Sequence, residues 1–282
     1  MMFAPLPGTE AQLAESPVWD GAHGALLWAD IPVGTIHELT LATGARRHWV
    51  MDGPVGSFGL CADGRLVVAR RLEVGLLDRD SSAYTTFAVL LSADAEQRLN
   101  DGKVGPDGAF WVGAMDDTPH KRPIAALYRV DATGKVEVKR QGLITSNGLA
   151  FSPDGRALYH SDSRGCWIER WDLDPTTGEM SGQTRIATPQ NEDGRPDGGT
   201  VDAEGCYWSA GVSAGCLNRY SPDGTLLARI PLPVPAPTMP CFGGPDLRAL
   251  FVTSLAPASG GTGLVLAAVA PVAGVAGYSF AV

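Results

Sequence analysis

Hydrophobic residues recur in short runs along the chain, and each run follows a tight-turn signal. Six such segments occur: WDGAHGALLWAD (19–30), ADGRLVVAR (62–70), PDGAFWVGAM (106–115), PDGRALYHSD (153–162), DAEGCYWSAG (202–211) and GPDLRALFVTS (244–254). Successive repeats are 40 to 50 residues apart, since the turns end at Gly24, Gly64, Gly108, Gly155, Gly205 and Leu247. A repeat of this length, made of short strands and tight turns, is typical of a β-propeller with one blade per repeat.

Each repeat also contains a second pair of strand-like runs. In GTIHELTLATGARRHWV (34–50), for example, hydrophobic and polar residues alternate on both sides of a turn at Thr43 and Gly44. Two hairpins per repeat predict an all-β fold, a six-bladed β-propeller with four-stranded antiparallel blades around a central channel. We expect residues 1–282 to form a single domain of this kind, because one blade cannot bury its faces alone.

The sixth repeat lacks an outer strand after LVLAAVA (264–270). Either the segment before Glu15 or the C-terminal tail must therefore complete a blade and close the ring. We expect the tail to form a last buried strand near residues 276–282. Pro271, Gly274 and Gly277 interrupt this uncharged tail and no basic segment flanks it, which argues against a membrane span.

Polar residues that could bind a metal ion or take part in catalysis occur at the same position, or phase, in several repeats. Counting back eight residues from the turn ends of repeats three, four and five leads to Asn100, Asn147 and Asp197, and Glu15 is nine residues before Gly24 in repeat one. Residues at one phase of a radial repeat lie at one height around the axis. The sequence therefore predicts that these residues, together with Asp101, surround a single mouth of the channel.

Glutamate, asparagine and aspartate side chains offer only oxygen ligands. Such ligands suit hard divalent cations such as Ca²⁺, Mg²⁺ and Mn²⁺, and three protein ligands leave coordination positions open for water and substrate. A calcium ion that only locks the blades together is the structural alternative. The sequence contains no GxSxG, HExxH or phosphate-binding loop, so a serine hydrolase, a zincin and a P-loop enzyme are not supported.

The net charge and the cysteine content indicate which binding partners and which cellular compartment to expect. The net charge is −9 and no basic run occurs, so neither nucleic acid nor an anionic membrane is an expected partner. The five cysteines include no CxxC pair, and we expect reduced thiols in a cytoplasmic protein, with a contact between Cys206 and Cys216 across a hairpin as an alternative to two core residues. The N-terminal segment lacks the features of a signal peptide.

Five ordered motifs carry a resemblance to a known family. They are AESPVWD, RLNDGKVGPDGAFWVGAM, SNGLAFSPDGRALYHSDS, RPDGGTVDAEGCYW and PCFGGPDLRALFVTS. Together they resemble the SMP-30/gluconolactonase/LRE family. That resemblance implies a six-bladed propeller holding one divalent metal ion (Ca²⁺, Mn²⁺, Mg²⁺, Zn²⁺ or Fe²⁺), with Glu15, Asn147 and Asp197 as ligands. It also implies that Arg98 and Asn100 bind the substrate, and that the reaction is hydrolysis of a sugar lactone to its aldonic acid.

Several roles stay open at this stage. Asp197 is the candidate base for the attacking water, and Asp101, which the resemblance places near the metal-bound waters, is an alternative. The resemblance also implies an acidic residue for sugar recognition after GAM, and Asp116 and Asp117 both fit that position. Two other functions compete with the lactonase: an ester or phosphotriester hydrolase on the same fold, and a non-catalytic, cation-binding regulatory propeller. The pattern does not choose the sugar, the metal or the oligomeric state.

Overall fold

The computed structural model describes residues 1–282 as six four-stranded antiparallel sheets, which confirms the predicted β-propeller. Each of the first five blades is a run of four consecutive strands, ordered from the channel outward. Blades one and two contain β2 (Ala14–Asp20), β3 (Ala25–Asp30), β4 (Thr35–Thr40), β5 (Arg46–Val50), β6 (Val55–Leu60), β7 (Leu66–Arg70), β8 (Glu73–Leu77) and β9 (Tyr84–Val89). Blade three contains β10 (Gln97–Val104), β11 (Phe110–Asp116), β12 (Ala125–Val130) and β13 (Val136–Leu143).

The remaining blades follow the same order until the ring closes. Blades four and five contain β14 (Ser146–Phe151), β15 (Ala157–Asp162), β16 (Trp167–Leu173), β17 (Met180–Ala187), β18 (Pro196–Val201), β19 (Tyr207–Gly211), β20 (Cys216–Tyr220) and β21 (Leu226–Pro231). Blade six contains β22 (Pro237–Gly243), β23 (Ala249–Ser254), β24 (Val265–Val269) and, on its outer edge, β1 (Ala4–Pro5). A single turn of helix, α1 (Asn191–Gly194), precedes β18, and no helix is long and apolar enough to cross a bilayer.

The N-terminal segment, not the C-terminal tail, completes the sixth blade. Strand β1 pairs antiparallel with β24, and backbone hydrogen bonds between Ala11 and Gly263 extend the contact. The strand expected near residues 276–282 does not form, so that prediction was wrong. The tail crosses the ends of several blades, where Phe280 N donates to Leu60 O in blade two and Ala281 N donates to Gly108 O in blade three. Because the tail crosses from blade to blade and does not follow one strand, it forms only isolated bridges, Gly274 with Asp202 and Phe280 with Cys61.

Buried aromatic residues fill the spaces between neighbouring blades. Trp111 on β11 packs edge-on against Phe151 of blade four, and Trp208 on β19 packs edge-on against Phe242 of blade six. The indole N–H of Trp208 donates to Asp202 in the preceding turn. Aromatic pairs of this geometry add to the energy of burial, so the turn signals and the strands that follow them together fix how each blade meets the next.

The five cysteines are free thiols. Cys206 and Cys216 are both buried, and Cys216 pairs with Gly211 at the far end of the β19–β20 hairpin. Their backbone positions put them at opposite ends of that hairpin, so of the two alternatives the structure supports two small core residues and not a contact between the thiols.

Thr9 lies in the N-terminal segment that closes the ring, and it is 1 % exposed. Its hydroxyl donates to Leu6 O (2.8 Å) and accepts from Val265 N (3.0 Å). We expect Thr9→Val to lower the free energy of unfolding by about 2 kcal/mol, because a buried N–H loses its acceptor. Denaturant titration followed by circular dichroism measures this. Thr85→Val, on the exposed outer strand β9, is the control, and equal losses in both variants would contradict the closure role.

Candidate metal centre and active site

All six channel-lining strands carry a β-bulge at the same level. The pairing of each with its neighbour shifts register between Glu15 and Val18, Val55 and Ser57, Leu99 and Gly102, Asn147 and Ala150, Pro196 and Gly199, and Pro237 and Pro240. A bulge bends the strand and re-aims side chains, and it is common next to active sites. These bulges direct the polar residues of repeats one, three, four and five into the channel.

The bulges bring together the side chains that the repeat phase predicts. Asn147 Nδ2 donates to Asp197 Oδ1 (2.5 Å) and to Ser163 Oγ (2.8 Å). The charges of Asp197 and Asp101 both act on Glu15, whose Oε2 accepts from Ser16 N (2.6 Å). Ligand candidates from blades one, four and five therefore meet at one end of the channel.

Loss of hydration and repulsion between the carboxyl groups both disfavour their ionised forms in this cluster. Loss of hydration, then the charges of Asp197 and Asp101, hold the pKa of Glu15 well above its usual range. Loss of hydration and the Asp101 charge raise the pKa of Asp197 to about 8, and burial also raises the pKa of Asp101. Three carboxyl groups in so little water are stable together only if they hold protons or share a cation.

The donor set fits a hard divalent cation. The Asn147 carbonyl oxygen accepts no hydrogen bond from the protein, because the amide nitrogen makes both of the side chain's contacts. The buried Oδ1 of Asp101 also has no partner. Carboxylate and amide oxygens without protein donors, gathered in a region of excess negative charge, are what such an ion requires.

Arg98 lies at the edge of the cluster and is held in place by its neighbours. Its guanidinium donates to Asn100 Oδ1 (2.9 Å) and to Leu99 O (3.0 Å), and Asn100 Nδ2 donates to Ser146 O (2.9 Å). Asn100 is only 7 % exposed and both ends of its amide are engaged. The geometry therefore makes Arg98 the more available of the two predicted substrate-binding residues.

The two aspartates after GAM have different surroundings. Asp116 is fully buried, and its carboxylate accepts from Thr118 N, Arg122 N and the Arg122 guanidinium, which keeps its pKa far below the usual range. Asp117 is exposed, and its carboxylate lies 3.6 Å from Arg98 Nε. Asp116 therefore braces the loop, and Asp117 is the carboxylate available beside Arg98.

Asp101 lies inside the channel and is 3 % exposed. Its Oδ2 accepts from Leu149 N of blade four (2.9 Å), so one oxygen ties two blades together while the other stays unpaired. Blade two contributes support but no ligand at this level. Its bulge residue is Gly56, where a Cβ atom would lie 2.5 Å from Leu99 O, and Ser57 Oγ donates to Asn100 O.

One charged residue of the channel was missed by the sequence analysis. Lys103 Nζ donates to Gly199 O (2.9 Å), so this side chain of blade three reaches blade five across the channel. Burial lowers its pKa, and the charges of Asp101 and Cys241 oppose that shift. Lys103 lies two residues after Asp101 on the same strand, and strand alternation is the signal that could have placed it in the channel.

A second group of potential ligands lies away from the channel mouth, at the turn of blade five. Asp202, Glu204 and Cys206 have ligand atoms close enough to hold one ion. However, Asp202 already accepts from Cys206 N, Trp208 Nε1 and Arg219 Nε. The Arg219 charge neutralises this carboxylate, so the turn has no unmet requirement for a cation.

Comparison with known proteins identifies the family. Residues 13–256 match the profile of the SMP-30/Gluconolactonase/LRE-like region. The chain belongs to this family. It is 39% identical over 242 residues to 6-deoxy-6-sulfogluconolactonase from Pseudomonas putida, covering 86% of this chain and 83% of that protein. It is 34% identical to pentonolactonase XacC from Haloferax volcanii, covering 87% and 82%.

A solved structure gives the same picture of the fold. The crystal structure of regucalcin from Agrobacterium tumefaciens, described as a calcium-binding protein, superposes with a TM-score of 0.92 at 30% identity. The match covers 99% of this chain and 97% of that one. The family resemblance inferred from the five motifs is therefore confirmed.

Removal of one carboxyl group from the cluster should stabilise the metal-free protein. In the metal-free protein, we expect Asp197→Asn to raise the free energy of unfolding at pH 8 by about 1 kcal/mol or more, because it removes a carboxyl group whose pKa folding raises. An unfolded aspartate ionises near pH 4, so the gain should shrink as the pH falls to 4. Denaturant titration in chelator measures it. Asp246→Asn, in an exposed turn, is the control, and a loss of stability at pH 8 would contradict the repulsion.

Proposed function

We propose that this protein is a metal-dependent lactonase that hydrolyses a sugar lactone to its aldonic acid. The observation that carries the proposal is the cluster of Glu15, Asn147 and Asp197 at one end of the channel, with Arg98 at its edge. The cluster offers oxygen ligands and excess negative charge, and Arg98 offers donors for hydroxyl groups. The relatives named as a sulfogluconolactonase and a pentonolactonase support a sugar lactone as the substrate class.

Glu15, Asn147 and Asp197 would hold the ion from three different blades. A divalent cation at this position supplies Lewis acidity toward the lactone carbonyl and compensates the negative charge that develops on it. Arg98 lies on one side of these ligands, where the charges of Glu15 and Asp197 act on it. The Arg98 guanidinium would donate to ring hydroxyls on that side, and the exposed Asp117 would accept from them.

Asp197 is the better placed of the two proposed bases. It is partly exposed at the mouth, where water and substrate arrive, whereas Asp101 is buried beneath it and one of its oxygens is engaged with Leu149 N. In this assignment Asp197 takes a proton from the attacking water as the new carbon–oxygen bond forms, and it returns the proton to the ring oxygen as the lactone carbon–oxygen bond breaks. Asp101 holds blade four against blade three through Leu149 N. Asn100 holds Arg98 in position.

Metal dependence is the first test. Chelator-treated protein should not accelerate acid release from a panel of aldonolactones, and Ca²⁺, Mg²⁺, Mn²⁺, Zn²⁺ or Fe²⁺ should restore it. The restoring ion, at one hundred times its Kd, should also stabilise the fold by about 2.7 kcal/mol. Asn147→Ala should abolish both effects. Bound metal without hydrolysis of any lactone would favour the regulatory propeller or a different ester substrate.

Arg98 provides a test of substrate recognition that is separate from metal binding. We expect Arg98→Met to lower kcat/KM by about 10- to 100-fold, since charge-assisted hydrogen bonds to hydroxyls are lost, with metal affinity unchanged. Steady-state kinetics and metal titration measure the two quantities. Arg156→Met, exposed at the opposite face of the propeller, is the control. A parallel loss of metal affinity would show that Arg98 serves the metal site instead.

Asn100 should behave as a support for Arg98. Asn100→Ala should retain the metal ion but reduce turnover, because the guanidinium loses its acceptor and the Ser146 carbonyl loses its donor. Kinetics of the double variant with Arg98→Met should show that the two losses do not add. Normal hydrolysis by Asn100→Ala would remove Asn100 from the site.

A further inference from the structure

A cavity, the lower cavity, lies at the end of the channel opposite the candidate metal centre. Its volume is about 810 Å³, within the range of small-molecule sites. Its walls are formed by the C-terminal halves of the channel-lining strands, by the turns that follow them and by the tail residues 275–279. Lys103, which reaches from blade three to blade five, lies between this cavity and the carboxylate cluster.

The walls of this cavity are mostly hydrophobic. Aromatic and aliphatic side chains from several blades line it: Val18, Trp19, Phe58, Phe151, Met239 and Phe242. The charged side chains at its outer rim are already paired, since Arg79 contacts Asp20 and Glu38 and Arg65 contacts Asp63. A neutral polar sugar would find few partners along these walls.

Lys103 is the unpaired charge of the cavity. The Gly199 carbonyl is the one protein acceptor of its ammonium group, and no carboxylate lies within ion-pair distance of it. Two of its three N–H donors therefore have no protein partner. The nearest charges, Asp101 and Glu15, belong to the cluster above it and would be compensated by a metal ion there. An isolated ammonium in apolar surroundings is costly unless an anion pairs with it.

We propose that the lower cavity binds an amphipathic monocarboxylate, with its carboxylate on Lys103 and its apolar chain along the hydrophobic walls toward the tail. One ammonium without a neighbouring arginine balances a single negative charge, so a monoanion fits better than a phosphate dianion. The site is separate from the proposed lactonase centre, and it does not depend on that function.

Decanoate is the probe, titrated into protein that carries one equivalent of Ca²⁺. We expect saturable binding of one decanoate, measured by calorimetry, and a change in tryptophan fluorescence that disappears in Trp19→Phe. Lys103→Met should weaken decanoate binding by about tenfold or more, because a charge-assisted contact is lost. The same variant should bind decanol as the unaltered protein does. Lys135→Met, at an exposed lysine outside the cavity, should bind decanoate normally.

Two further variants keep the test decisive if Lys103→Met does not fold. Lys103→Arg preserves the charge and should retain decanoate binding. Val275→Trp, at the half-buried rim, should fill the opening and weaken decanoate and decanol alike. The proposal is overturned by the absence of saturable binding, by equal decanoate affinity in Lys103→Met, or by displacement of decanoate with gluconate, which would place the binding at the other mouth. Lactone hydrolysis assayed on the same samples reports separately on the proposed function.

Discussion

Closure of the ring is the constraint on which the rest of the molecule depends. A propeller blade has two hydrophobic faces, and each is covered only by the next blade, so an open ring would leave one face of two blades in water. Here two residues of β1 and the bonded segment up to Ala11 close the last gap by pairing with β24 and the residues before it. Strand β2 begins directly after this segment, so the position of Glu15 depends on closure as much as the core does.

The closed ring makes a concentrated negative charge possible. Glu15, Asp101 and Asp197 come from blades one, three and five, and each is held by its own strand, so they cannot move apart to relieve repulsion. Buried carboxylates outside the channel have protein donors instead, as Asp202 has Arg219 and Asp30 has the backbone N–H groups of Gln12 and Leu13. A region whose charge the protein leaves unbalanced is where a cation is expected.

Much of this arrangement could be predicted from the sequence, because it depends on the regular spacing of the repeats. The spacing of the turns gives six blades, and one phase of the repeat gives Glu15, Asn100, Asn147 and Asp197 at one mouth. The bulges do not follow from the period, since one extra residue in a strand leaves the turn spacing almost unchanged. The distinction between Asp116 and Asp117 depends on Arg122, which only the folded loop brings to Asp116. The tail was misassigned because its hydrophobic residues fill the underside of the ring without an edge to pair with.

The lysine that spans the channel affects how small molecules enter and leave the candidate site. The Lys103 side chain joins blade three to Gly199 of blade five beneath the carboxylate cluster, so it obstructs the axis between that cluster and the lower cavity. With the axis obstructed in this way, a molecule that enters beside Arg98 would leave by the same opening. Substrate binding and product release would therefore alternate, and the side chains around that opening would control both.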